Sequence, residues 1–228
     1  MRNWDKTFKF IYPAHQVKLL FKFGGGGILD MADKIIASTA PVYTTYSQGG
    51  ELLEVVNENG VSTGRPATRK EVHEKGLWHR AIIVAIINDD NKILIQKRAI
   101  TKEKFPELWD LSVAGHIPFG ADSMSCAAVE VMEDVGYMLP KKTQVRDFKF
   151  MSSFRNQLPL SDTFIENQIY DFFIYNLDIP IEEFHSQPEE VSEVRYATIF
   201  EIKEMAKQGL FHPRTEWIDV LYRYISKF

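Results

Sequence analysis

The chain is poor in cysteine, in long apolar runs and in excess positive charge. Cys126 is its single cysteine, so no intrachain disulfide can form, and a reducing, intracellular setting is expected. No run of 18 apolar residues is present, so no membrane-spanning helix is predicted. The net charge is -4, whereas a nucleic-acid-binding surface needs clustered Lys and Arg. We therefore expect a cytoplasmic protein that binds neither a membrane nor nucleic acid.

The length of 228 residues is enough for one domain with a sizeable core and an additional segment. Residues 1–49 combine basic and aromatic side chains with four consecutive glycines and end in a polar stretch. We expect a poorly ordered extension here, translated upstream of a start at Met31. An anchoring or partner-binding segment is the alternative. Residues 50–228 are then expected to form a single domain, whose oligomeric state the sequence does not determine; a homodimer is compatible with it.

Apolar periodicity divides residues 50–228 into alternating strands and helices. Residues 81–87 are apolar and β-branched, which is typical of a buried strand, and residues 92–98 are predicted to pair with them across a turn. Strands are predicted at residues 51–56, 81–87, 92–98, 108–114, 145–153, 167–177 and 192–198, helices at 69–75, 122–135, 199–208 and 214–226, and a loop at 63–68. This interleaving predicts one mixed α/β domain.

Three carboxylates share one face of the helix predicted at residues 122–135. Glu130 lies three residues before Glu133 and four before Asp134, a spacing that places side chains on one side of a helix. Neighbouring carboxylates repel each other unless a cation lies between them, and hard oxygen ligands select Mg²⁺ or Mn²⁺. Such ions bind diphosphates and activate water. A solvated acidic helix face is the alternative interpretation.

The segment that contains this helix resembles the Nudix box, G-x5-E-x7-R-E-U-x-E-E-x-G-U, in which U is a bulky aliphatic residue. The matching residues are Gly115, Glu130, Val131, Glu133 and Gly136, with Asp134 in place of the last glutamate and Tyr137 in place of the last aliphatic residue. The resemblance covers about residues 50–228. It implies the family's fold, a Nudix-type α/β/α sandwich with a mixed β-sheet.

The resemblance also implies an activity, which is metal-dependent hydrolysis of a diphosphate linkage in a nucleoside diphosphate derivative or a similar small metabolite. Glu130, Glu133 and Asp134 would be the catalytic residues. The same three side chains, with the main chain at Gly115, would bind Mg²⁺ (or Mn²⁺). The expected partner is therefore a small-molecule diphosphate substrate.

Two departures from the box leave a second function open. Ala121 stands where the family has the first glutamate, and Val129 stands where it has an arginine that orients the first helix glutamate. A catalytically weak Nudix-fold module that binds a nucleotide or metabolite is the alternative to a hydrolase.

Three further residues are candidates for substrate binding. Arg98 and Lys102 are suited to phosphate oxygens, because guanidinium and ammonium groups donate charge-assisted hydrogen bonds. Glu166 could supply a further metal ligand or a general base, as a glutamate outside the box often does in this family. For each of them, an exposed position at a strand edge or strand start is the alternative.

A closer resemblance, to the branch of the family that contains type 1 isopentenyl-diphosphate isomerase, includes residues 105–116 and 166–168. That isomerase needs a cysteine and a glutamate where this chain has Ala114 and Gln168, so isomerisation is the least favoured function. Its metal ligands have partial counterparts in His73, His79, His116 and Glu166. From their local contexts alone, we expect a surface helix residue at His73, a core or hinge residue at His79 and a backbone-bonded loop residue at His116.

Overall fold

The computed structural model describes residues 46–47, 50–134, 147–186 and 188–227. The strands are β1 (Tyr46–Ser47), β2 (Gly50–Val56), β3 (Ser62–Thr68), β4 (His79–Ile87), β5 (Ile93–Arg98), β6 (Trp109–Leu111), β7 (Val113–His116), β8 (Lys149–Ser161), β9 (Phe164–Asn176) and β10 (Val191–Ala197). The helices are α1 (Arg69–Glu74), α2 (Ser123–Asp134), α3 (Ile199–Lys207) and α4 (Ile218–Ile225), with a 3₁₀ turn at Ile181–Glu183.

The centre of the sheet is β4, which lies parallel to β9 and antiparallel to β7. The predicted pairing of residues 81–87 with residues 92–98 is wrong beyond the turn, because β4 and β5 pair at Ile87 and Ile93 alone. Away from the turn, β4 pairs with β7 and β9. β5 pairs with β6 and β10. The two strands of the hairpin therefore separate and each extends a different part of the mixed sheet.

Two other predictions about strands are corrected. Residues 63–68 form most of β3, which pairs with β2 alone, so its Pro66 lies on an edge strand where a missing N–H is tolerated. The strand predicted at residues 108–114 is divided into β6 and β7 at Ser112. The Ser112 hydroxyl donates to the carbonyl of Leu94 (2.5 Å) and accepts from the N–H of Ile86 (2.9 Å), so it replaces main-chain pairing at the break.

Two apolar clusters cover the two faces of the sheet. The first joins Ile82, Val84 and Ile86 of β4 to Cys126, Ala127 and Val131 of α2. The second joins Ala81, Ile83 and Ala85 of β4 to Ile202 of α3 and Leu221 of α4. Alternate residues of β4 thus face opposite helical layers, and the predicted α/β/α sandwich with a mixed sheet is confirmed.

The predicted extension at residues 1–49 lies outside the described residues, apart from the short strand β1. Gly136 and Tyr137, which belong to the box, also lie outside them. Within the described part of the chain, no helix has the length and apolar character that crossing a membrane requires.

Candidate functional site

The carboxylate of Glu130 lies against the main chain of Gly115. Gly115 is on β7, and Glu130 is on α2, whose first turn is capped by the Asp122 carboxylate accepting from the N–H of Ser125 (2.9 Å). A Cβ atom at Gly115 would overlap the carboxylate carbon of Glu130 and lie 2.6 Å from its Oε2. A larger residue at position 115 would therefore displace this carboxylate, and with glycine there two members of the predicted metal site are brought together.

Glu133 and Asp134 occupy the last turn of α2. Their spacing from Glu130 places the three positions on one side of the helix, as the sequence predicts. The side chain of Asp134 is half-buried. The side chain of Glu133 lies outside the described part of the structure. Convergence of all three carboxylates on one cation therefore stays a prediction.

Arg98, at the end of β5, binds the loop that follows it. Its Nε donates to the main-chain carbonyls of Lys104 (3.2 Å) and Phe105 (3.2 Å), and its Nη2 also donates to that of Lys104 (3.0 Å). Phe105 and Glu107 have positive φ angles of 50° and 61°, a conformation that costs side-chain-bearing residues about 1–3 kcal/mol. Arg98 thus stabilises a strained loop, and its predicted contact with substrate stays a prediction.

Lys102 lies in the loop that follows β5, and Glu166 lies on β9. The ammonium of Lys102 forms an ion pair with Glu190. Glu166, on β9, is half-buried. Burial raises the pKa of its carboxyl, and the nearby positive charges of Arg214 and Arg98 oppose that rise. Substrate binding by Lys102 and Glu166 stays a prediction.

A buried ionic network beside Glu166 was missed by sequence reasoning. Nη2 of Arg214 donates to Oδ2 of Asp110 at 2.8 Å, and Nε of Arg214 donates to Nδ1 of His212 at 3.2 Å. Burial by itself would raise the pKa of Asp110, but the charge of Arg214, helped by His212 and Arg98, holds it below its usual value. One indication of this network is present in the sequence: Asp110 is the acidic residue in an otherwise largely apolar predicted strand.

Three histidines from three elements form a cluster. His73 comes from α1, His79 from β4 and His116 from β7, and their ligand atoms all lie within 4.8 Å of one another. The prediction that His73 is a surface residue is wrong: it is 3% exposed, and its ring stacks on Phe164 with 4.3 Å between centroids. The burial predicted for His79 is confirmed, at 0% exposure.

The imidazoles of this cluster are held in the neutral form. Burial lowers the pKa of His79 to about 4, lowers that of His73, and brings that of His116 well below its ordinary value. Nδ1 of His73 donates to the carbonyl of Arg69 (2.7 Å), and Nδ1 of His79 donates to that of Leu77 (3.0 Å). Because Nδ1 carries the proton in both rings, Nε2 carries the lone pair, which is the form that binds metals.

Arg69 is a further candidate that sequence reasoning missed. Its side chain is exposed, and its positive charge acts on Glu51, Glu166 and all three histidines of the cluster. It lies one helical turn before His73, so both side chains project from the same side of α1. The four-residue spacing between Arg69 and His73 could have predicted from the sequence that the two side chains lie close together. Arg69 is placed to attract an anion toward the cluster.

The chain is similar to proteins of one family along most of its described length. The family model described as the NUDIX domain matches residues 77–221 of the 228-residue chain. The chain belongs to the Nudix family. Nudix hydrolase 3 of Arabidopsis thaliana is 36% identical over 64% of this chain, but the match covers 19% of that longer relative. An uncharacterized Nudix hydrolase of Listeria monocytogenes is 31% identical over 72% of this chain and 89% of its own length.

Other proteins are similar to this chain in sequence or in fold. Isopentenyl-diphosphate isomerases are similar at 27% to 31% identity. A Deinococcus radiodurans protein of known crystal structure superposes on this chain with a TM-score of 0.53 and 18% identity, covering 76% of this chain and 98% of that one. At that identity, the likeness shows a shared fold alone.

Proposed function

We propose that this Nudix pyrophosphohydrolase hydrolyses the diphosphate linkage of a small metabolite, a nucleoside diphosphate derivative or a similar compound, with Mg²⁺ (or Mn²⁺). Glu130, Glu133 and Asp134 would hold the cation together with the main chain at Gly115. The observation that carries the proposal is the approach of the Glu130 carboxylate to Gly115, where an added Cβ atom would overlap that carboxylate. A carboxylate held against a strand end offers the hard oxygen ligands that Mg²⁺ prefers.

The bound cation would neutralise the diphosphate and lower the pKa of an attacking water. The protein's part is to orient these groups and to accept the proton. Glu133 is the proposed base, on the same side of α2 as Glu130. Transfer of the water proton to this carboxylate accompanies formation of the new P–O bond, and the bridging P–O bond breaks with the other phosphoryl group as leaving group.

Positive side chains would stabilise the charge that develops on the leaving group. Arg98 and Lys102 are the proposed substrate ligands, although each is engaged within the protein, Arg98 by loop carbonyls and Lys102 by Glu190. Lys102 would exchange Glu190 for phosphate on binding. Glu166, whose pKa is raised by burial, completes the proposed substrate site as a ligand or a proton acceptor.

The histidine cluster is a second place for a divalent cation. Neutral imidazoles whose Nε2 atoms carry lone pairs suit borderline ions such as Zn²⁺. We propose that such a cation, bound at His73, His79 and His116, supports the same reaction by adding positive charge near the substrate.

The test is a screen of diphosphate-containing metabolites with Mg²⁺ or Mn²⁺, detecting phosphate or monophosphate release. Glu130→Gln and Glu133→Gln should each lower kcat roughly 10²-fold or more, with folding confirmed by circular dichroism. Glu204→Gln is the matched control, because its carboxylate is exposed on α3 and pairs with Lys207. Turnover that is unchanged in both box variants would remove α2 from the mechanism.

A binding module with little turnover remains the second candidate because of Ala121. Its side chain is 7% exposed within the apolar cluster, so an apolar group fills the position of the family's first box glutamate. Calorimetry with Mg²⁺ and nucleoside diphosphate compounds, run beside the product assay, separates the two functions. Tight binding without product favours the module. Isomerisation is disfavoured because Ala114 packs in the second apolar cluster and Gln168 cannot exchange a proton.

A further inference from the structure

The amide nitrogen of Gln168 lies between two imidazoles of the histidine cluster. Its Nε2 is 3.4 Å from Nε2 of His79 and 3.3 Å from Nε2 of His116. An amide nitrogen can only donate, so both imidazole nitrogens accept through the lone pairs that a metal would need. A cation therefore cannot bind these two lone pairs while the amide of Gln168 keeps this orientation.

The oxygen of the same amide is left without a partner. Gln168 is 4% exposed, and its Oε1 is buried with no hydrogen bond to any described residue. A buried, unpaired acceptor costs about 1–3 kcal/mol. The parallel register of β9 and β4 places Gln168 opposite His79, so the backbone keeps this side chain beside the cluster. A half-turn about the Cγ–Cδ bond would instead exchange the two amide atoms and point Oε1 at the cluster.

We infer that Gln168 is a two-state ligand of the histidine cluster. Its N–H groups hold His79 and His116 in the absence of a cation, and its Oε1 becomes a neutral fourth ligand when a cation binds. The inference rests on the proposed use of the cluster as a metal site. It gives Gln168 a role in choosing the ion, because its ligand atom is neutral where a carboxylate would be charged.

The ligand set that results carries no formal negative charge. Three imidazoles and one amide oxygen suit Zn²⁺ and similar borderline ions, whereas Mg²⁺ binds mainly through carboxylate and phosphate oxygens. The two proposed sites would then take different ions, Mg²⁺ at the carboxylates of α2 and a Zn²⁺-like ion at the histidines. A rotating neutral ligand also makes zinc binding weaker and more readily reversible than a carboxylate would.

Calorimetric titration of the metal-stripped, full-length chain with Zn²⁺ in excess Mg²⁺ tests this directly. Gln168→Glu should tighten zinc binding about tenfold or more, because it adds an anionic ligand, and Gln168→Met should weaken it by a similar factor. Gln157→Glu is the matched control: it adds the same charge to an exposed position on β8 and should leave the Kd for zinc unchanged. Equal Kd values in wild type, Gln168→Glu and Gln168→Met would overturn the inference.

NMR of the Gln168 side-chain amide gives a readout that does not require the variants to be well folded. On adding Zn²⁺ to wild type, its ¹⁵N–¹H signals should shift and lose protection from solvent exchange. Signals that stay unchanged at saturating zinc would contradict the two-state role. Absence of zinc binding in wild type would overturn the inference and remove the cluster as a metal site, and hydrolysis at α2 would then be judged by its own assay.

Discussion

Asp110 and Arg214 form a buried ion pair, with 2.8 Å between Oδ2 and Nη2, that joins β6 to the segment before α4. The Asp110 side chain is 2% exposed and that of Arg214 is 9% exposed. Neither charge can reach bulk water if its partner is lost. The pair therefore ties the last helix to the sheet beside the proposed substrate site.

Removing one member of this pair should strongly destabilise the protein. Asp110→Asn and Arg214→Met are each expected to lower the free energy of unfolding by about 3–5 kcal/mol, because each leaves an uncompensated buried group. The double variant should lose less than the sum. Urea unfolding measures all three. Glu74→Gln is the control, since its pair with Lys70 is exposed and should contribute less than about 1 kcal/mol. Losses of that small size in the Asp110 and Arg214 variants would contradict a structural role.

His212 should make stability depend on pH. Burial, with the charge of Arg214, lowers its pKa to about 3 in the folded protein, whereas an unfolded histidine titrates near pH 6.5. As pH falls below 6.5 only the unfolded chain takes up this proton, so stability that is present at neutral pH is lost at about 1.4 kcal/mol per pH unit. His212→Asn keeps an acceptor for Arg214 but does not titrate. Between pH 7 and pH 5, wild type should lose about 2 kcal/mol more than the variant, and equal losses would show that His212 does not carry the effect.

Gly115→Ala should force the Glu130 carboxylate out of its position. The added methyl group would overlap that carboxylate, which is the far end of a flexible side chain and can move aside, so the cost in stability should be at the low end for overpacking, about 1 kcal/mol. The same change should weaken Mg²⁺ binding, measured by calorimetry. In a Glu130→Ala background, the destabilisation by Gly115→Ala should largely disappear. If it persists at full size there, the cost comes from elsewhere in β7.

The thiol of Cys126 should be unreactive in the native protein. Cys126 is 2% exposed on the sheet-facing side of α2, and burial, with the charges of Glu130 and Asp122, raises its pKa to about 12. At pH 8 its reaction with a disulfide reagent should be slower than in the urea-unfolded chain by a factor on the order of 10³. Rapid reaction in the native protein would mean that α2 does not stay packed on the sheet.

The acidic helix and its glycine could be predicted because their signals are local. Glu130 and Asp134 share a face through helical spacing alone, and Gly115 matches the box at a fixed distance along the chain. The alternation of strands and helices was confirmed for the same reason. Hydrophobic period and turn residues within short windows are sufficient to indicate those elements.

Other features of the fold and the site could not be predicted from the sequence, because they depend on contacts between distant segments of the chain. His73 reads locally as a surface helix residue, and it is buried because Phe164 of β9 stacks on it. The separation of β4 from β5 after Ile87 follows from the competing partners β7 and β9. The ion pair between Asp110 and Arg214 joins residues that are 104 positions apart in the sequence. The sequence immediately around each of these residues does not predict these long-range contacts.

Cation and diphosphate binding at Glu130 is tested most directly by diffraction from crystals of the full-length chain soaked with Mn²⁺ and a non-hydrolysable diphosphate. Anomalous scattering at the manganese edge should show an ion within coordination distance of the Glu130 carboxylate and the main chain at Gly115, bridging to the diphosphate. A diphosphate bound elsewhere, with no manganese beside Glu130, would contradict the account.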